Sequence, residues 1–206
     1  MNQALALLEF DSVAAGVLAV DRMLKQAPIA MLRCGSVHPG RYLILVGGSV
    51  ASTEEAYEAG VRSACDQGAL IDQILLPDPH PLLAGAVAGG RTPPGGEAVG
   101  VIEVSTSPGL LRGVDCALKG VPVSLVEIRL ADDLGGRALA IFDGLFPDVQ
   151  EALEMAGSRL GECASLCGSS LMPRVDETLR DVLAVGTSFA ACKSLTPAGA
   201  EILGVE

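Results

Sequence analysis

Aromatic residues and positive charge are what this sequence has least of. Only 3% of its 206 residues are aromatic, tryptophan is absent, and 14 Lys and Arg stand against 25 Asp and Glu, for a formal net charge of −11. A nucleic-acid-binding surface needs a basic patch to meet the phosphates, so this charge balance argues against a nucleic acid partner. Half of the residues are hydrophobic, and the core must therefore be built from Ala, Val, Leu and Ile.

Long apolar segments and a secretion signal are also missing. No apolar run reaches the roughly 18 residues of a membrane helix, and MNQALALLEF lacks the basic start of a signal peptide. The cysteines are scattered through apolar contexts, which is typical of a reducing cytoplasm rather than a disulfide framework. Yet the mean hydropathy is +0.45. We therefore expect no membrane partner, and apolar surface that other subunits cover.

Catalytic motifs are absent as well. The chain has two histidines, and it contains no P-loop, HExxH zinc motif or GxSxG nucleophile elbow. Cys163 and Cys167 lack CxxC spacing, and we expect them to be buried, inert thiols. The sequence therefore predicts no catalytic residue and a protein that is not an enzyme.

The chain contains an internal duplication. Residues 4–28 align with 98–122 at an offset of 94 (103 − 9), and residues 40–59 align with 136–155 at an offset of 96 (137 − 41). The second copy thus has two extra residues before Gly136. The predicted units are a first domain, a Gly/Pro linker, a second domain and a C-terminal extension, over residues 1–88, 89–97, 98–186 and 187–206.

Each copy reads β-α-β-β-α-β, the order of the split βαβ, ferredoxin-like motif, so the predicted fold class is α+β with two tandem domains. An amphipathic first helix is predicted by four apolar residues on one helical face: Val13, Val17, Val20 and Leu24. Ser52 begins a second helix at capping-box spacing from Glu55. The extension after residue 186 is predicted to be an extra helix, an arm onto a neighbour, or disordered.

An ordered set of short motifs resembles the bacterial microcompartment shell proteins. The motifs are D-x-x-L-K-x-x-P after the first helix, a PGR or GGR turn before a long apolar strand, and P-x-P-H after the last strand of the first copy. Two unpermuted copies resemble the tandem-domain subclass. The resemblance implies a homotrimer that forms a pseudohexameric tile, joins other shell proteins edge to edge around cytoplasmic enzymes, and passes small metabolites or ions through a central pore.

The resemblance also implies where the pore and the tile edges lie. The edge residues would be Lys25, Lys119, Arg174 and His80. The first copy has Asp78 in the place of Arg174, so the edges are not all equivalent. The pore would be lined by two loops, Gly35, Ser36, Val37, His38, Pro39 and Gly40 in the first copy and Ala131, Asp132, Asp133, Leu134, Gly135 and Gly136 in the second.

The loop chemistry leaves several alternatives open. Three His38 side chains would meet near the three-fold axis, as a plain pore lining, a pH-dependent gate, or ligands of a Zn- or Ni-type metal. Some tandem relatives hold an iron–sulfur cluster there through a cysteine directly before Pro-Gly, where this chain has His38. Cys34 is predicted at the end of a strand and is a poor substitute. Asp132 and Asp133 either favour cations or neutral polar solutes in the pore, or face solvent as part of a helix cap or turn.

Three functions are therefore compared. The leading one is a structural shell protein with a metabolite or ion pore and no cofactor. The second is a metal- or iron–sulfur-binding shell protein with its metal at His38. The third is a soluble ferredoxin-like regulatory protein or an enzyme unrelated to shells.

Overall fold

A computed structural model describes residues 4–188 and 190, and it consists of two similar units. The first unit contains β1 (Ala4–Phe10), α1 (Val13–Gln26), β2 (Met31–Val37), β3 (Arg41–Gly48), α2 (Val50–Gln67), β4 (Leu70–Leu76) and α3 (Pro81–Val87). The second contains β5 (Ala98–Val104), α4 (Ser107–Gly120), β6 (Ser124–Leu130), β7 (Ala138–Gly144), α5 (Phe146–Ser158), β8 (Leu166–Met172) and α6 (Glu177–Val185). The predicted extension from residue 189 onward lies outside the described residues, apart from Ala190.

Each unit is one four-stranded antiparallel sheet with its helices packed on it. The strand orders are β2-β3-β1-β4 and β6-β7-β5-β8, so the two sheets have the same topology. Equivalent residues also hold equivalent registers, since Glu9 lies opposite Asp72 and Glu103 lies opposite Gly168. The predicted α+β fold and its duplication are confirmed. Within the described ranges no helix is long and apolar enough to cross a bilayer.

A short helix that the sequence analysis missed follows the last strand of each unit. In α3 the imidazole of His80 accepts a hydrogen bond from the Leu82 N–H, and in α6 the carboxylate of Asp176 accepts one from the Thr178 N–H. Both residues are thus helix N-caps. The second helix of the first unit also begins earlier than predicted, because Ser49 rather than Ser52 is its N-cap.

The buried face of α1 differs from the predicted one. Its buried residues are Ala15, Gly16, Ala19 and Met23, most of them small. Small residues are needed because a β carbon at Gly16 would overlap the Tyr42 ring. Of the predicted apolar face, Val20 is half-buried and packs against the core of the first unit. The other three residues are exposed, by 41% at Val13, 53% at Val17 and 51% at Leu24.

The two units share a continuous hydrophobic core. It joins Leu5 and Leu7 on β1 to Leu110, Leu111 and Val114 on α4. Helix α4 therefore packs against its own sheet and also against β1 and β4 of the first unit.

The segment 89–97 is held by hydrogen bonds and an ion pair, although its Gly/Pro composition indicated a linker without packing potential. The N–H groups of Gly95 and Gly96 donate to the buried Asp143 carboxylate at 3.0 and 2.8 Å. Arg91 forms an ion pair with the buried Glu127. This segment thus ties the first unit to the sheet of the second.

Candidate functional site

The first predicted pore loop is a tight turn at the tip of the β2–β3 hairpin. The turn consists of His38, Pro39 and Gly40, and the Gly40 N–H donates to the Val37 carbonyl at 2.9 Å. Gly40 has φ of 103°, a left-handed conformation that favours glycine. His38 is exposed at the tip. The other predicted loop residues, Gly35, Ser36 and Val37, belong to strand β2 instead, because they pair with β3.

The second predicted loop is longer and more tightly wound. Ala131, Asp133, Gly135 and Gly136 all have positive φ, between 57° and 82°. Asp132, Asp133 and Gly135 are exposed and Leu134 is half-buried, so these residues are free to face an opening. Ala131 and Gly136 are buried within the chain, in contrast to the pore-lining role predicted for them.

Arg41, directly after the first turn, fastens the second loop in place. Its guanidinium donates to the Gly136 carbonyl at 2.9 Å and to the Ser105 carbonyl at 3.0 Å. The same group pairs with Glu9 Oε1 at 2.6 Å. Because Glu9 also accepts the Ser107 N–H at 2.8 Å, these five residues form one network across the two units, which we call the Arg41 network.

The Glu9 carboxylate in this network is fully buried. Burial raises its pKa, while the hydrogen bonds from Ser107 and Arg41 lower it and offset part of that rise. Glu9 aligns with Glu103 at the offset of 94, but the alignment alone predicted no role for either residue. The available signal was the repeated glutamate together with the repeated Gly-Arg that follows each loop.

Two of the predicted edge residues lie where the units meet. Lys119 Nζ donates to the Asp78 carbonyl and to Asp115 Oδ2, both at 2.6 Å. The backbone N–H of His80 donates to Asp115 Oδ1 at 2.8 Å. Lys119 and His80 therefore join the first unit to α4, whether or not they also reach a tile edge.

The other two predicted edge residues are on the surface. Lys25 is exposed and pairs with Asp21 at 2.6 Å, one helical turn away. Arg174 is exposed in the turn between β8 and α6. Both side chains are accessible to a neighbouring molecule.

Two of the thiols, Cys163 and Cys167, are not buried as predicted. Cys163 and Cys167 are exposed, as are Cys34 and Cys65. Cys34 lies in the middle of β2 and not at the predicted end of a strand. The pKa of Tyr42 is raised to about 12, first by a hydrogen bond with Cys34 and then by burial of the tyrosine ring. In the described part of a single chain, no three His, Cys, Asp or Glu side chains converge as a metal site.

The two copies expose different surfaces, although their helices are equivalent. At the offset of 94, Val13, Val17 and Leu24 of α1 correspond to Ser107, Leu111 and Leu118 of α4. The α4 residues are buried because this face packs against the first unit, whereas the α1 residues are exposed. One chain therefore presents an apolar helix face of a kind that it buries elsewhere.

Comparison with known families identifies this architecture. A family model of the BMC domain matches residues 4–79 and again 98–175. The chain belongs to the BMC domain family, with two copies in tandem. This confirms the resemblance to microcompartment shell proteins.

Known proteins are similar to this chain along most of its length. The chain is 32% identical over 179 residues to the bacterial microcompartment shell protein PduT of Citrobacter freundii, covering 87% of this chain and 96% of PduT. It is 26% identical over 198 residues to the carboxysome assembly protein CcmO of Synechocystis, covering 90% and 66% of the two chains. A microcompartment protein from Desulfitobacterium hafniense superimposes with a TM-score of 0.75 at 28% identity, covering 88% and 99%. The chain is a microcompartment shell protein, a structural protein and not an enzyme.

Proposed function

We propose that three copies of this chain form a pseudohexameric tile of a microcompartment shell, with a central pore for small metabolites or ions. The observation that carries the proposal is the exposed apolar face of α1. Its counterpart on α4 packs against β1 and β4 of the first unit. The equivalent acceptor surface in the second unit is formed by β5 and β8, so α1 of a second copy fits there.

The acceptor surface of the second unit supports this arrangement. Leu166 on β8 is 50% exposed, whereas its counterpart Leu70 is half-buried. Arg137 and Glu103 already pair at 3.5 Å, but Arg137 is exposed and Glu103 is only half-buried, unlike the fully buried Glu9. Packing of α1 from a second copy would bury this pair and complete a second network like that of Arg41.

Repetition of the same head-to-tail contact closes a ring when the rotation per chain is one third of a turn. Each chain then contributes the His38 turn and the Asp132–Asp133 loop to the centre, in alternation. Exposed imidazoles and carboxylates would surround the opening, and this polar lining suits small polar solutes or cations. In this proposal the pore holds no cofactor.

The trimer can be tested by a single charge in the apolar face. Val17→Asp places a carboxylate in the proposed contact, and we expect monomers of 21.0 kDa where the unchanged chain gives about 63 kDa (3 × 21.0) by light scattering. Leu145→Asp is the matched control, because Leu145 is exposed at the start of α5 and its counterpart Ser49 is exposed too. A Val17→Asp protein that still forms trimers would contradict the proposed contact.

Placement in a shell also requires contacts between tiles. The exposed Lys25 and Arg174 are the proposed edge residues on the free surface, and Lys119 and His80 are proposed to lie at the edge near the junction of the units. Lys25→Ala should reduce the formation of sheets or tubes seen by electron microscopy and leave the trimer intact. Normal sheets from both Lys25→Ala and Lys119→Ala would remove the two lysines from the proposed edge.

A second candidate is a metal on the three-fold axis, favoured by the exposure of His38 at the hairpin tip. An iron–sulfur cluster fits poorly, because such clusters are held mainly by thiolates and the turn offers an imidazole. A borderline metal such as zinc or nickel suits three imidazoles better. Metal analysis of the purified trimer should then show about one ion per three chains, lost in His38→Ala and kept in His80→Asp, which retains the helix cap.

A further inference from the structure

We infer that the two kinds of junction in the proposed ring have incompatible residue pairs at one equivalent position. As a result, β8 accepts only α1 of a second copy. Within a chain this position holds the charged pair Arg112 and Asp72. Between chains the equivalent residues are Leu18 and Gly168. This inference rests on the proposed trimer and names what makes its contact selective.

Both members of the charged pair have hydrogen-bond partners within the chain. Asp72 is 4% exposed and accepts hydrogen bonds from the Thr106 hydroxyl at 2.5 Å and the Gln73 N–H at 2.7 Å. Arg112 lies with its guanidinium 3.8 Å from Asp72 Oδ1 and donates to the Gln73 carbonyl at 2.8 Å. It also donates to the Leu160 carbonyl on its own unit. Charge on both sides of this junction is therefore compensated.

The assignment of the neutral pair, Leu18 and Gly168, follows from the register of the sheets. Asp72 lies opposite Glu9, and Gly168 lies opposite Glu103 in the same place of the second sheet. Leu18 stands at the position of Arg112 (112 − 94) and is 37% exposed. The contact between chains would thus place a leucine against a glycine where the chain itself has an arginine against an aspartate.

Exchange of the partners leaves a buried charge without its counterion. If α4 left β4 of its own chain and packed on β8 of another copy, Arg112 would face Gly168. If α1 packed on β4, Asp72 would face Leu18. Removal of one member of a buried ion pair is strongly unfavourable, because the other charge remains desolvated. The mismatch therefore keeps α4 in its own chain and reserves β8 for α1, which is specificity by exclusion.

The charged pair can be transferred to the contact between chains by substitution. Leu18→Arg and Gly168→Asp each introduce an unpaired charge at the proposed contact, and the double variant recreates the charged pair. Space exists for the aspartate, since in the described chain a β carbon at Gly168 would meet only Glu103 Oε2, at 3.9 Å. The Ser12 hydroxyl stands where Thr106 donates to Asp72, and it is available for the same bond.

The readout is the trimer dissociation constant of the full chain, measured by mass photometry or sedimentation. We expect each single variant to raise it by at least about ten-fold, because each buries an uncompensated charge. The double variant should return to within about three-fold of the unchanged chain, as expected for coupled sites. Leu145→Arg is the matched control for added charge and should change nothing.

Circular dichroism separates a lost contact from a lost fold, since Leu18 is on the monomer surface and both single variants should keep their helix content. An unchanged chain that is not a trimer overturns the proposed ring, and this inference with it. A trimeric unchanged chain whose single variants associate normally overturns this inference alone. A double variant that stays dissociated has the same consequence.

Discussion

Arg41→Met is the change that should most clearly expose the electrostatics of this chain. Among the described residues it leaves the buried Glu9 carboxylate with the Ser107 N–H as its hydrogen-bond donor, and it removes the donor to the Ser105 and Gly136 carbonyls. Loss of one partner of a buried ion pair costs about 3–5 kcal/mol of unfolding free energy. The second pore loop should loosen as well, because Gly136 is one of the released acceptors.

The loss should depend on pH in a defined direction. Burial already raises the pKa of Glu9, and without Arg41 one of the influences that lower it is gone. A carboxyl whose pKa is higher in the folded than in the unfolded protein lowers stability as pH rises through the interval between the two values. Each further unit of that rise costs about 1.4 kcal/mol at pH values where the group is ionised. The variant should therefore lose more at about pH 8 than at about pH 5.

The assay is urea unfolding followed by circular dichroism, at one protein concentration because association adds to apparent stability. Arg62→Met is the matched control, since Arg62 pairs with Glu58 at 3.3 Å and both side chains are well exposed. Such a surface pair contributes only about 0–1 kcal/mol. A loss for Arg41→Met as small as the control's, or one equal at both pH values, would refute the account of the Arg41 network.

Two further predictions concern packing and titration. Gly113→Ala should lower the free energy of unfolding in urea by about 1–3 kcal/mol, because the new β carbon would lie 2.5 Å from the Ala156 carbonyl oxygen. Gly85→Ala should raise it by about 0.5–1 kcal/mol, because a β carbon there would have nothing within 4 Å. A similar response at both glycines would contradict this prediction. The pKa of Tyr42 is raised to about 12, first by its hydrogen bond with Cys34. In Cys34→Ala the absorbance titration of tyrosinate should move toward about 10, the ordinary value, and an unmoved curve would exclude that bond as the cause.

Much of the fold could be predicted because its signals are local. The order β-α-β-β-α-β was predicted from the strand and helix patterns of each copy, and the duplication follows from aligned residues alone. The Gly-Arg after each loop marked the start of a strand, and Gly40 has the positive φ that the turn requires. The short α3 and α6 were missed, since helices of seven and nine residues have too few turns to show a clear periodicity.

The candidate site was predicted only in part. The exposed His38, Asp132 and Asp133 were identified from the loops, but Ala131 and Gly136 are buried. Exposure within a seven-residue turn depends on its backbone angles, and neither the letters nor their spacing specify those. The thiols of Cys163 and Cys167 were expected to be buried for their apolar neighbours, yet they lie on an edge strand and the turn before it.

The sequence by itself determined the family, the two tandem copies and the order of their elements, because these depend on residues close together in the chain. Only the tertiary structure decided which side of α1 is buried, since helical periodicity marks an apolar face without saying whether its partner is the same domain or another chain. It likewise decided that Arg41 joins Glu9, Ser105 and Gly136, residues up to 95 positions away. Such contacts arise when two sheets meet, and no local pattern records them.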